Sequence, residues 1–186
     1  MKQVRKQTLT NEIEVKILNI DVEVVKAKLT ELHAKVVKDV FQTNQYYINP
    51  NETEKVAIRI RKENNKSWVT IKRKLAKKEN GVRNREEIEE EISNPVEMEK
   101  IFFGLGLQKE KLYEIKRKYY SLNDCSVEIV HMATIPTYLE IEGSKENIYA
   151  VAEKLGFSED DFLKRSFFKT YPQTKEHDML FENENN

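Results

Sequence analysis

The sequence contains few of the residues that mark several common classes of protein. A single cysteine, Cys125, excludes a disulfide bond within the chain. Only five glycines occur in 186 residues, and none forms a glycine-rich phosphate-binding loop of the usual spacing. Long apolar runs are absent, and the first residues, MKQVRKQTLT, lack the apolar segment of a secretion signal. We therefore expect a cytoplasmic protein that does not bind a membrane.

Net charge is also absent, although charged residues are abundant. Lysine plus arginine and aspartate plus glutamate both total 32, and together they make up 34% of the chain. This balance argues against a nucleic-acid-binding protein that depends on bulk positive charge. The length predicts one domain, which we assign to residues 1–173, followed by a flexible acidic tail over 174–186.

A strand pattern appears early, in the segment NEIEVKIL at residues 11–18. Glu12, Glu14 and Lys16 alternate there with β-branched apolar residues. Because side chains alternate between the two faces of a strand, this segment predicts one apolar and one ionised face.

Strands of this kind alternate with capped helices along the chain. Asp21, Asn94 and Ser144 are each predicted to cap a helix, and Gly156 to end the last one. The segment NQYYINP is predicted to end in a turn, and ENNK and NDC to join hairpin strands. Glu-x-Glu followed by a capped helix occurs three times. We predict an α+β domain with roughly seven or eight mainly antiparallel strands.

Sorting the strand residues by parity collects charges of both signs on one face. This face contains Glu12, Glu14, Lys16, Arg59, Arg61, Thr70, Lys72, Lys74, Arg85, Glu87, Glu89, Arg117, Glu128, Glu140 and Glu142. The opposite face is apolar, and the helices are expected to cover it. The charged face is then either the wet side of an open sheet or the lining of a barrel.

Three features favour the lining of a barrel. Residues i and i+2 lie roughly 6.5–7 Å apart on a strand, so each Glu-x-Glu or Arg-x-Arg holds like charges close together. The two signs occur in blocks rather than interspersed as on a solubility surface. Clustered bases beside clustered carboxylates suit a polyphosphate with divalent cations, because bases bind phosphate oxygens and carboxylates bind Mg²⁺ or Mn²⁺.

Six blocks of the sequence, in order, resemble the CYTH or triphosphate tunnel metalloenzyme family. They are EIEVK, IRIR, TIK, REEIE, KRKYY and YLEIE, and they lie within about residues 10–171. The family includes class IV adenylyl cyclases, thiamine triphosphatases and inorganic triphosphatases. The resemblance implies a closed eight-stranded antiparallel barrel, with helices outside and a triphosphate inside.

Roles for individual residues follow from the same resemblance. The substrate-binding residues would be Lys16, Arg59, Arg61, Lys72, Arg85 and Arg117, to which we add Lys74 on the same face. The Mg²⁺ or Mn²⁺ ligands would be Glu12, Glu14, Glu140 and Glu142, with Glu128 as a further ligand and Glu87 and Glu89 as acidic wall. Catalysis would depend on Lys16, Glu14 and Arg61.

The chain departs from the family pattern at three places. Val130 stands where members usually carry an aspartate that contributes to metal binding, and Glu128 on the same face is a candidate substitute. Pro136 stands where glycine is common, and the late Ser-Tyr pair is Ser166-Phe167 here.

We expect a metal-dependent enzyme that hydrolyses a small triphosphate, either inorganic, nucleoside or thiamine triphosphate. One alternative is a class IV adenylyl cyclase that makes cyclic AMP and pyrophosphate from ATP. Another is a catalytically weak triphosphate-binding module. The expected state is a monomer or homodimer without nucleic acid.

No catalytic role is expected for the histidines and the cysteine, which are His33, His131, His177 and Cys125. Trp68, Tyr46 and Tyr47 are expected to pack, although a tyrosine at a tunnel mouth could stack on a base.

Overall fold

The computed structural model describes residues 10–51, 56–74, 80–165 and 167–182, and its named strands form one sheet. Its strands are β1 (Thr10–Ile17), β2 (Lys35–Ile48), β3 (Ala57–Glu63), β4 (Lys66–Lys74), β5 (Arg83–Ile92), β6 (Gln108–Leu122), β7 (Cys125–Met132) and β8 (Tyr138–Glu142). All neighbours are antiparallel, and the order β1-β5-β4-β3-β2-β6-β7-β8 closes into a barrel. The closed α+β barrel is confirmed, and the open-sheet alternative is wrong.

Helices begin where capping residues predict them. They are α1 (Val22–Glu31), α2 (Pro95–Gly104), α3 (Lys145–Lys154) and the short α4 (Phe167–Thr170). The Asp21 and Asn94 side chains each accept two backbone N–H groups of the first turn, and the Ser144 hydroxyl accepts one. Gly156 follows α3 with φ +83°, the left-handed conformation that glycine adopts without strain. The predicted caps and the predicted end of α3 are confirmed.

Tight turns join the hairpins at both predicted places, between Glu63 and Lys66 and between Leu122 and Cys125. The segment NQYYI forms the end of β2. This strand already begins at Lys35, and it pairs with β6 along most of its length. A register shift between Val36 and Lys38 interrupts this ladder.

Apolar side chains of the strands point out of the barrel and pack beneath the helices. Val15, Leu139 and Ile141 are fully buried, together with Ile148 and Val151 of α3. Burial of side chains of this size contributes about 1.5–3 kcal/mol each to folding. Since helices occupy the outside, the alternating charged residues are directed into the barrel.

The C-terminal segment packs against β6 in its described part. The Met179 side chain is buried, its N–H donates to the carbonyl of Leu112, and its carbonyl accepts the N–H of Glu114. The predicted tail over 174–186 thus begins with residues that contact the barrel, and residues 183–186 lie outside the described part. Among the helices that the structure describes, none has the length and apolar character needed to cross a membrane.

Candidate active site

Parity along each strand places the predicted charged set on the inner face of the barrel. On β1, Glu14 and Lys16 face inward, whereas Val15 and Ile17 are buried in the outer core. Cross-strand register continues the inner face from β1 to its neighbours, since Glu12 pairs with Arg85 and Lys16 with Glu140. Residues from distant parts of the chain therefore line one interior.

Most inward bases are held by inward carboxylates. Lys72 Nζ lies 2.7 Å from Glu12 Oε2 and 2.9 Å from Glu87 Oε2. Arg61 lies on β3, which is three strands away from β1 in the barrel order, and its Nη2 lies 2.6 Å from Glu89 Oε1. The structure thus places the predicted Arg61 apart from Lys16 and Glu14.

The interaction between Lys16 and Glu14 lies on β1 itself. Lys16 Nζ is 3.7 Å from Glu14 Oε2 and also contacts Glu140. Burial lowers the pKa of Lys16 to about 7, an effect that Glu14 opposes and that Arg83 and Arg117 reinforce. Burial alone would raise the pKa of Glu14, but the surrounding Lys16, Arg85 and Arg83 hold it well below its usual range. Glu14 is therefore ionised in the barrel.

The predicted metal ligands come from three adjacent strands. Glu14 is the cross-strand partner of Glu142, and Glu128 is the partner of Glu140. Glu14, Glu128 and Glu140 are only 5%, 4% and 6% exposed, so their carboxylates are largely removed from water. Within the described residues, no three carboxylate, imidazole or thiol groups already converge to hold an ion.

Glu142 differs from the other inward glutamates in its electrostatic surroundings. Burial, together with the nearby Glu12, Glu128 and Glu14 carboxylates, raises the pKa of Glu142 to about 7. Lys72 opposes this shift only in part. Glu142 therefore lies among like charges, and hard oxygen donors of this kind are suited to Mg²⁺ or Mn²⁺.

Several inward nitrogen donors are buried without a hydrogen-bond partner. Among the described residues these are Asn44 Nδ2, Arg59 Nε, Arg61 Nε, Arg83 Nη2 and Arg117 Nε. A buried donor without an acceptor costs about 1–3 kcal/mol, or more when it is charged. Donors from β2, β3, β5 and β6 thus face the same interior and lack acceptors there.

Arg117 and Val130 show how the chain accommodates its departure from the expected pattern. Val130 is the cross-strand partner of Arg117 and is completely buried in an apolar cluster with Tyr113 and Tyr138. Arg117 Nη1 instead lies 2.6 Å from Glu128 Oε2 and 3.2 Å from Glu140 Oε2. The candidate substitute Glu128 is therefore paired with a guanidinium.

Arg59, Arg85 and Lys74 complete the predicted set. Arg59 Nη1 lies 3.3 Å from Asn44 Oδ1, and its Nη2 lies 3.2 Å from Thr70 Oγ1. The Arg85 side chain is 36% exposed, with Nη2 3.9 Å from Glu14 Oε1, so it lies toward the edge of the interior. Lys74 ends β4, and its side chain lies outside the described residues.

Some inner-wall residues were missed by the sequence interpretation. Arg83 is 8% exposed, and its Nη1 lies 3.2 Å from Glu14 Oε1. The sequence contains a signal for it, because Arg83 and Arg85 are separated by two positions and therefore share a face of β5. Gln42 and Asn44 are buried on β2, and Gln42 precedes the segment NQYYINP that the sequence analysis considered.

The residues expected to have no catalytic role lie outside the charged interior. Cys125 is buried in the outer core. His131 is exposed, with Nδ1 3.0 Å from Thr137 Oγ1. Tyr47 is buried in a core cluster, and its hydroxyl donates to Glu99 Oε1 at 2.6 Å. These placements agree with packing or surface roles.

Comparisons with known proteins agree with the barrel fold. The chain matches the CYTH domain over residues 10–167. It is 27% identical over 172 residues to a Methanocaldococcus jannaschii protein that is provisionally named an adenylate cyclase, covering 85% of this chain and 97% of that protein. The PH1012 protein of Pyrococcus horikoshii OT3 has a similar structure, with TM-score 0.73, 28% identity and coverage of 85% and 98% of the two chains.

A Hippeastrum protein shares the fold at lower identity. It has TM-score 0.65 and 20% identity, and the match covers 88% of this chain and 96% of that one. It is described as a provisional adenylyl cyclase with a dominant triphosphatase activity. Because the family match spans most of the sequence and the closed barrel agrees with it, this chain belongs to the CYTH domain family.

Proposed function

We propose that the protein is a divalent-metal-dependent enzyme that hydrolyses a small triphosphate inside the barrel. The observation that carries this proposal is the set of buried nitrogen donors without acceptors on the inner wall, four of them on arginine. A triphosphate carries about four negative charges and many acceptor oxygens, so it suits these donors. The donors alone do not require a metal, which enters the proposal through the carboxylates.

The bases on the inner wall would bind and orient the triphosphate. Arg59, Arg61 and Lys72 approach from β3 and β4, and Arg117 approaches from β6. Charge-assisted hydrogen bonds to phosphate are worth about 1.5–3 kcal/mol each. When a phosphate replaces Glu89 as the partner of Arg61, the guanidinium still has an anionic partner, and the triphosphate becomes fixed in position.

The carboxylates on β1 and β8 would hold the metal. Glu142 lies in excess negative charge, whereas the other candidate ligands already face cations: Glu12 pairs with Lys72, Glu14 with Arg83, Glu140 with Lys16 and Glu128 with Arg117. A bound divalent cation would neutralise charge that develops on the phosphate oxygens. Lys16, buried beside Glu14 and Glu140, is placed to bind the same oxygens.

Hydrolysis requires a water molecule in line with a phosphorus atom, and cyclisation requires the ribose hydroxyl in that place. The name of the M. jannaschii relative supports adenylyl cyclase as a second candidate, and the description of the Hippeastrum protein supports triphosphatase activity. Hydrolysis demands less of the site, because no ribose has to be oriented. A silent triphosphate-binding module is the third candidate.

One assay separates the three candidates. The purified protein is incubated with Mg²⁺ or Mn²⁺ and ATP, thiamine triphosphate or inorganic triphosphate, and phosphate, pyrophosphate and cyclic AMP are quantified. We expect phosphate release that EDTA abolishes. Cyclic AMP with pyrophosphate would establish the cyclase instead, and calorimetric binding without product would establish the silent module.

Two charge-neutralising variants test the site residues. Glu14→Gln and Glu140→Gln should abolish metal-dependent turnover while the far-ultraviolet circular dichroism spectrum stays unchanged, since the barrel interior loses a carboxylate but no volume. Glu97→Gln is the matched control, because Glu97 lies on α2 with its side chain 57% exposed. Full activity in both interior variants would refute the assignment of these carboxylates.

A further inference from the structure

Two aromatic side chains face inward near one end of the barrel. Trp68 on β4 is the cross-strand partner of Arg61, and Tyr119 on β6 is the partner of Glu128. Both lie toward the end formed by the β3–β4 and β6–β7 turns, and both rings are partly exposed. Aromatic surface is therefore accessible beside the charged interior.

Cations lie close to both rings. The Arg61 guanidinium carbon is 4.9 Å from the centroid of the Trp68 ring, and Lys38 Nζ is 4.4 Å from that of Tyr119. Arg117 is 5.8 Å from the same Tyr119 centroid. A planar group attached to a triphosphate at Arg61 and Arg117 would therefore lie within reach of these rings. A neutral ring is compatible with the nearby cations, whereas a permanently cationic ring would be repelled.

Inner-face positions toward the other end are filled by apolar side chains. Tyr113, Ile115, Val130 and Tyr138 are at most 5% exposed and pack in one cluster that also contains Met179 of the C-terminal segment. The cations near this end are Lys16, 5.3 Å from the Tyr138 ring centroid, and Arg83, and both also contact carboxylates, those of Glu14 and Glu140. In the described part of the chain, packed side chains therefore fill this end and leave less room for a base, whereas Lys16 and Arg83 are placed to bind a terminal phosphate.

We propose that the substrate is a nucleoside triphosphate bound in one direction, with its base against Trp68 and Tyr119 and its terminal phosphate toward Lys16 and Arg83. This inference rests on the proposed function. The amide nitrogen of Gln42 is already used, because it donates to Glu63 Oε2 at 2.7 Å and to the Tyr119 hydroxyl at 3.1 Å. The base is thus held by stacking rather than by its edge, so ATP and GTP bind with similar affinity.

A pair of tyrosine variants at opposite ends tests the direction of binding. Calorimetry measures dissociation constants for a non-hydrolysable ATP analogue and for inorganic triphosphate with Tyr119→Leu and Tyr46→Leu. Tyr46 is the matched control, since its ring lies 5.3 Å from Tyr113 at the other end. We expect Tyr119→Leu to weaken the ATP analogue roughly tenfold relative to inorganic triphosphate, as loss of a stacking partner does. The ratio should be unchanged in Tyr46→Leu, and the reverse pattern would overturn the proposal.

Magnetic resonance gives a readout that does not depend on a variant. The sequence contains one tryptophan, so a single indole N–H signal reports on Trp68. We expect nuclear Overhauser effects between this indole and the base protons of the ATP analogue. If the analogue and inorganic triphosphate bind equally well and no such effect appears, the inference fails and the proposed function stands. If neither ligand binds, the proposed function itself fails.

Discussion

Single residues on the inner wall are stabilised by partners that are far away in the sequence. Glu63 is 6% exposed, and its carboxylate accepts from Lys38 Nζ and Gln42 Nε2, both at 2.7 Å. Burial alone would raise the pKa of Glu63, but these two hydrogen bonds hold it below its ordinary value of 4.5. The folded protein therefore favours the ionised carboxylate at this position.

Removing that charge should destabilise the barrel in a pH-dependent way. We expect Glu63→Gln to lower the free energy of unfolding at pH 7 by about 1.5–3 kcal/mol, the usual contribution of hydrogen bonds to a charged group. Because the folded pKa is depressed, this contribution is fully present above pH 4.5 and is lost as pH falls through the folded pKa. Urea unfolding at several pH values measures it.

The matched control for this variant is Glu91→Gln. Glu91 pairs with Lys66 at 2.9 Å, but both side chains are more than half exposed, so little change is expected. A difference between wild type and Glu63→Gln that stayed constant well below pH 4.5 would contradict the assignment.

Whole elements decide which face of the sheet becomes the interior. Helices α1 and α3 cover the apolar face, with Val25, Leu29, Ile148 and Val151 all at most 1% exposed. The start of α1 is fixed by Asp21, whose Oδ1 accepts the N–H groups of Glu23 and Val24. A capping residue satisfies donors that the first helical turn leaves without partners.

The cap can be tested by two substitutions at one position. We expect Asp21→Ala to destabilise the protein by about 1 kcal/mol, and Asp21→Asn to cost far less because asparagine also caps helices. Urea unfolding monitored by circular dichroism measures both. Equal losses in the two variants would show that the negative charge of Asp21, rather than its hydrogen bonds, stabilises α1.

At the scale of the whole molecule, barrel closure brings the two ends of the domain together. The strand β1 pairs with β5 on one side and with β8 on the other. Its Glu12 thereby meets Lys72, 60 residues away, at 2.7 Å. The buried donors come from four different strands, so an anion between them would join segments that the unfolded chain keeps apart.

A triphosphate should therefore stabilise the whole fold. A ligand that binds only the native state at 100 times its dissociation constant contributes about 2.7 kcal/mol, and we expect inorganic triphosphate to raise the Tm accordingly. Differential scanning fluorimetry measures the shift. Inorganic phosphate at the same concentration and ionic strength is the control, and an equal shift with both anions would indicate a general salt effect.

Period-two patterning and cap chemistry are local, and they determined much of this protein from the sequence. The parity of β1 and β8 predicted which glutamates share a face, and Asp21, Asn94 and Ser144 predicted where helices begin. The CYTH motifs supplied the closed barrel.

Partners and environments were decided only by the tertiary structure, because strand register depends on contacts between distant segments. It paired Arg117 with Glu128, buried Val130 among tyrosines and brought Arg83 Nη1 within 3.2 Å of Glu14 Oε1. No local pattern contains that information, since a strand specifies its own two faces but not the strand that will lie beside it.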